Sequence, residues 1–218
     1  MKRVAAALVA AALLLAADSP DYRAFSGLMR GTDRTLVEVQ ATITQPTCTF
    51  VSHNSWCAAW VALEAGGVPP WNIVQVGYVI FPPLWGRSVR YFWAAGDAPS
   101  GRGPFVVDLG PAQPGAHNFR IRVVTTDWTG RTYDRVQLYI DGRLVATSPI
   151  AATPWVRTTR SASWQCELAA RGDRCAVTFS KARIRVEGGY SVAAFRGWVG
   201  YHERGLRIMS TTTVRVLR

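Results

Sequence analysis

Ile73-Val74-Gln75-Val76-Gly77-Tyr78-Val79-Ile80-Phe81 is an apolar and aromatic run interrupted by one primary amide. Asn72 precedes it and Pro82-Pro83 follow, so β-branched and aromatic residues fill a short segment between breakers, which reads as a strand. Side chains alternate along a strand, placing Ile73, Gln75, Gly77, Val79 and Phe81 on one side. Gln75 carries two donors and an acceptor into that company. Each group left unpaired would cost about 1–3 kcal/mol, so Gln75 calls for a partner, a water or a ligand.

The rest of the chain repeats the pattern. Segments 36–43, 58–63, 89–93, 105–109, 162–168, 176–180, 183–187, 191–199 and 206–216 are further expected strands, bounded by turn residues. Phe119-Arg120-Ile121-Arg122-Val123 alternates as a half-buried strand does. Val136–Ile140 and Arg143–Ala146 flank Asp141-Gly142, the pair that supplies the positive φ angles of a type I′ hairpin. No stretch after the first 17 residues has helical periodicity. Short strands at regular spacing define an all-β fold, an antiparallel two-sheet β-sandwich of jelly-roll, concanavalin-like form. One domain over residues 35–218 is expected, after a polar N-terminal arm at 18–34.

Met1-Lys2-Arg3 followed by the Ala-, Leu- and Val-rich run to Ala17 reads as a secretory signal peptide. The apolar run is shorter than the ~20 residues of a membrane span, and no Cys follows it as a lipid attachment point. The expectation is a secreted protein of the extracellular space or cell envelope, without a transmembrane segment. Cys48/Cys57 and Cys166/Cys175 form two close pairs, and an even count in an exported chain favours disulfides, local pairing being the simplest of three connectivities. Neither pair has the spacing of a zinc knuckle and the three histidines are scattered, so no metal or other cofactor is expected. The chain is basic: its formal charge of +11 falls to +9 without Lys2 and Arg3. With no run of five basic residues, the arginines read as spread over a solvated surface, and no nucleic-acid partner is expected.

Around Gln75 the segments Ala59-Trp60-Val61 and Tyr91-Phe92-Trp93 complete a constellation that resembles the glutamic peptidases, or eqolisins. The resemblance runs over roughly residues 55–95, with a weaker echo to about residue 180. It implies a secreted two-sheet sandwich that binds an extended polypeptide and hydrolyses it in acid. Gln75 then stabilises the oxyanion, and Trp60, Tyr91 and Trp93 line the substrate groove. A neutral amide suits that task, because it donates to developing charge without titrating. The family's general base, a glutamate, lies immediately before a Trp, and an acidic residue follows three after that Trp. Ser161-Ala162-Ser163-Trp164-Gln165-Cys166-Glu167 is the nearest match, so Ser163 stands at the base position and Glu167 at the second acid. Glu167 shares a face with Ser163 and is the catalytic carboxylate to test. Glu64, on the face of Trp60 and Ala62, is the other acid within reach of Gln75.

Nine tryptophans support a second reading, a non-catalytic module that binds glycan or another extracellular polymer, with Trp71 and Trp85 the exposed candidates and most of the others in the core. Arg171-Gly172-Asp173 resembles an adhesion tripeptide, but turn chemistry accounts for it. A monomer is expected in either case.

Overall fold

The structure is a computed structural model. It describes residues 24–32, 34–65, 73–82, 88–97, 102–124, 135–148, 159–195, 200–201 and 205–217. The signal segment, Trp71, Trp85 and residues 196–199 lie outside these. Among the described residues every regular element is a strand, and none is a helix able to cross a membrane.

In chain order the strands are β1 (Ala24–Gly31), β2 (Leu36–Thr44), β3 (Thr47–Thr49), β4 (Cys57–Ala65), β5 (Ile73–Ile80), β6 (Val89–Asp97), β7 (Arg102–Pro111) and β8 (Ala116–Val124). There follow β9 (Arg135–Ile140), β10 (Arg143–Thr147), β11 (Thr159–Leu168), β12 (Arg174–Val186), β13 (Ser191–Ala193), β14 (Gly200–Tyr201), β15 (Leu206–Ser210) and β16 (Thr213–Leu217). A seven-stranded sheet runs β14-β1-β11-β4-β5-β6-β7. A nine-stranded sheet runs β10-β9-β8-β2-β12-β16-β15, with β3 and β13 also pairing β12. Neighbouring strands pair antiparallel throughout.

The sheets close over one core. Val61, Leu63, Val74, Val76, Tyr78, Trp93 and Trp164 from the first sheet meet Val39, Ile43, Phe119, Ile121, Phe179 and Val214 from the second. The Trp164 indole donates across the sandwich to the Gln40 carbonyl at 3.3 Å. Fully burying side chains of this size contributes about 1.5–3 kcal/mol each. Trp56, Trp60, Trp93 and Trp164, the tryptophans among the described residues, are all buried.

Both disulfides join the two sheets. Cys48 of β3 is bonded to Cys57 of β4, and Cys166 of β11 to Cys175 of β12. The local pairing expected from the spacing is therefore present. Cys48, Cys57 and Cys175 form the one group of potential metal ligands among the described residues, and each is oxidised.

Four expectations change, the first being the strand expected at 191–199, which ends at Ala193 before a turn at 194–195. Residues 24–31 of the N-terminal arm form a strand that pairs with β11 from Ala24↔Leu168 to Gly31↔Ser161. The strands expected at 176–180 and 183–187 are one strand, β12, which crosses an irregularity marked by Lys181 at φ 52°. Residues 206–216 are instead a hairpin of β15 and β16 that turns at Thr211-Thr212. The Asp141-Gly142 turn is as expected, with φ values of 51° and 80°. Asp173 of the Arg-Gly-Asp turn is buried and accepts from the Val51 and Ala170 amides at 2.9 and 3.2 Å, so it holds a loop.

Candidate active site on the outward face of the seven-stranded sheet

Directly paired residues of an antiparallel sheet share a face. Gln75 pairs with Ala62, and Ala62 pairs with Ser163. Val74, Val76, Val61 and Trp164, which flank these three, point into the sandwich core. Gln75, Ala62 and Ser163 therefore form a row on the other face, turned away from the second sheet. The next row is Phe92, Gly77, Trp60 and Gln165, and the one beyond holds Val79, Ala58 and Glu167.

This outward face is itself apolar in part. Trp56, Ala58, Trp60, Ala62, Val79, Phe81, Phe92 and Ala94 make a second buried cluster. β4 and β5 are consequently buried on both sides, which is why residues 73–81 read as almost continuously apolar. Gly77 allows the strands to fit together at Trp60: an added Cβ would lie 2.0 Å from the Ala59 carbonyl oxygen and 2.7 Å from Trp60 Cα. Both contacts are backbone and cannot turn aside.

Three polar side chains converge beside Ala62. Gln75 is half-buried, and its amide has no side-chain hydrogen bond among the described residues. Glu64, also half-buried, pairs with Ile73 and is thus the diagonal neighbour of Gln75, at about 7–8 Å. Ser163, fully buried, donates from Oγ to Glu64 Oε1. Burial pushes the Glu64 carboxyl above its usual range, and the Ser163 hydroxyl partly opposes that shift. The arrangement places a raised carboxyl, its hydroxyl partner and an unengaged amide around the small side chain of Ala62.

Glu167 is placed differently. It is buried and accepts from Trp60 Nε1 at 3.3 Å. Its pairing partner is Ala58, four pairs along the strand from Ala62. At ~3.3 Å per residue this is about 13 Å from the row of Gln75. The structure therefore puts Glu64, the other acid expected within reach of Gln75, beside that amide, and gives Glu167 to Trp60.

Tyr91 and Trp93 are also displaced from expectation. Gln75 pairs with Ala94 and Gly77 with Phe92, so the even residues of β6 share the face of Gln75. Tyr91 and Trp93 turn inward. Trp93 belongs to the sandwich core, and Tyr91 packs on Tyr78 and Phe119 with ring centroids 5.5 and 5.9 Å away. Phe92 takes the place expected for them. Trp60 stands on the expected face, two residues from Ala62.

A two-sheet antiparallel sandwich is the fold that the resemblance to the glutamic peptidases implied. Solved structures bear this out for the fold. Scytalido-glutamic peptidase with a peptide-based transition state analog matches with a TM-score of 0.59 and 13% identity, over 88% of this chain and 96% of that one. SCP-B, a member of the eqolisin family of peptidases in complex with the tripeptide Ala-Ile-His, matches with a TM-score of 0.57 and 16% identity, over the same shares. This chain accordingly has an eqolisin-like fold. No protein-family model matches it, and no curated protein sequence does.

Proposed function

We propose that this protein binds an extended peptide across the outward face of the seven-stranded sheet and hydrolyses it in acid, with Gln75 and Glu64 as the working pair. The observation that carries the reading is the convergence of Glu64, Ser163 and Gln75 around Ala62. The base expected on β11 is replaced by a serine, and a carboxylate from the adjacent strand is bonded to that serine. The peptide-like ligands held by proteins of the same fold support an extended polypeptide as substrate.

In this mechanism Glu64 takes a proton from a water as that water attacks the scissile carbonyl carbon. The Gln75 amide donates to the oxygen on which charge develops, and Glu64 then returns the proton to the departing amine as the C–N bond breaks. Ser163 holds the carboxylate in place. Burial of Glu64 raises its pKa, which makes the carboxylate a stronger base where it is ionised but leaves less of that form at the acid end of the range. The two disulfides are consistent with an extracellular site of action.

The test is cleavage of denatured casein by the purified protein at about pH 3–4. Gln75→Ala should lower kcat by ~10²–10³, the usual loss of one oxyanion donor, and Glu64→Gln should abolish turnover. Absence of cleavage from about pH 2 to 8, together with binding to a polysaccharide panel that Gln75→Ala leaves unchanged, would replace this reading with the glycan-binding one.

A further inference from the structure

Arginines that are dispersed in the sequence meet on the outward face of the nine-stranded sheet. Arg122 of β8 pairs with Glu38 of β2, which pairs with Arg185 of β12. In the next row Arg120 pairs with Gln40, and Gln40 with Arg183. β9 extends these rows with Gln137 and Tyr139, and β13 with Ser191 and Ala193. The alternate residues Phe119, Ile121, Val123, Val39 and Ile184 are buried in the core, so all four guanidinium groups point outward. They stand about 7 Å apart along each strand and ~10 Å apart across two strand spacings. Farther along the same sheet Arg215 and Arg207 oppose each other, both exposed.

The local acids do not neutralise this array. Glu38 is the only carboxylate in the two rows, and it meets Arg185 at 3.5 Å. Arg183 donates to Ser191 Oγ and to the Ser191 carbonyl, at 3.0 and 2.7 Å, which aligns its guanidinium on the surface. Arg120 lies 4.1 Å over the Tyr139 ring, and its buried Nε has no hydrogen-bond partner.

We propose that this face binds an anionic polysaccharide, a polymer bearing carboxylate or sulfate groups on sugar rings. A rigid lattice of guanidinium groups matches anions repeated along a chain, and forms charge-assisted hydrogen bonds with them. Gln40, Gln137, Thr42 and Asn118, interleaved on the same face, supply donors and acceptors for sugar hydroxyls. The one ring within the rows, Tyr139, is covered by Arg120 and so gives no platform for stacking bases. No large apolar side chain stands in these rows to enter a lipid surface. The inference is independent of the peptidase reading, because it concerns the opposite side of the molecule.

The experiment titrates the intact protein with polygalacturonate and with heparin at physiological salt. The same titration is done for Arg122→Ser/Arg183→Ser and for a control, Arg171→Ser/Arg174→Ser, that removes the same charge from the exposed turn before β12 and the first residue of that strand, far from the two rows. The first variant should lose about tenfold or more in affinity while the control stays within about twofold. Whichever polymer binds more tightly identifies the anion. Equal losses in the two variants would reduce the effect to net charge and overturn the proposal. So would the absence of binding to both polymers, or tighter binding to duplex DNA or to phosphatidylglycerol vesicles.

Discussion

Along β8, buried Phe119, Ile121 and Val123 alternate with Arg120 and Arg122, whereas along β4 every residue from Cys57 to Leu63 is buried. β8 is a half-wet strand: its outward residues meet water, and polar side chains there need no special account. On β4 and β5 both faces are covered, so a polar side chain costs free energy unless it is paired. Gln75, Glu64 and Ser163 therefore carry more meaning on their sheet than an equal number of polar groups would on β8. On the nine-stranded sheet meaning comes only from pattern, the collection of like charges in adjoining rows.

The largest expected break of this contrast is Gly77→Ala. The added Cβ meets backbone on the doubly covered sheet, and the variant should lose about 3 kcal/mol of stability or fail to fold, read by thermal or denaturant melting. An outward polar substitution on β8, such as Arg122→Ser, should change stability by about 0.5 kcal/mol or less. Next in size is an exchange of Glu64 and Ser163. Glu64→Ser alone should abolish peptide hydrolysis, while Glu64→Ser/Ser163→Glu, which carries the carboxylate back to β11, should restore it to within about tenfold of the parent. An exchange variant as inert as the single one would show that the position on β4, and not the carboxylate itself, is what matters.

The smallest effect is a pH dependence of stability. The folded-state pKa of Glu64 is raised, so the folded protein holds its proton more firmly than the unfolded chain does. Below the unfolded value both states are protonated and no penalty exists. As pH rises through the folded value, ionising the buried carboxyl removes stability. Glu64→Gln should therefore raise Tm relative to the parent at pH 7 and leave it nearly unchanged at about pH 3, as followed by calorimetry. A larger difference in acid than at neutrality would contradict the burial argument.

Much of this fold was legible because alternation and breakers mark strands locally. Residues 73–81 and the Asp141-Gly142 hairpin illustrate this, since each depends only on neighbours in sequence. Gln75 and Trp60 stood out for the same reason, a polar amide and an aromatic inside apolar runs, and the structure places both on the outward face of one sheet. What escaped was register. Ser163 and Glu64 are 99 residues apart, and no local pattern brings β11 against β4. Tyr91 and Trp93 were assigned to the wrong face because their parity relative to Gln75 depends on the β5–β6 pairing, and Gln75↔Ala94 sets it the other way. The arginine rows of β8 and β12 were hidden likewise, and so was the strand at 24–31, whose partner is β11.

The disulfides bear on how such a sheet could respond to a ligand. Cys57 sits opposite Leu168, and Cys166 opposite Ala59, so both cross-links lie toward the Glu167 end of β4 and β11. The row of Gln75 and Ser163 is at the other end. The sandwich is clasped like a book along one margin, and relative sliding of its sheets is arrested there. The unclasped margin carries Glu64 and Ser163, while Trp60 and Glu167 lie beside the clasped one.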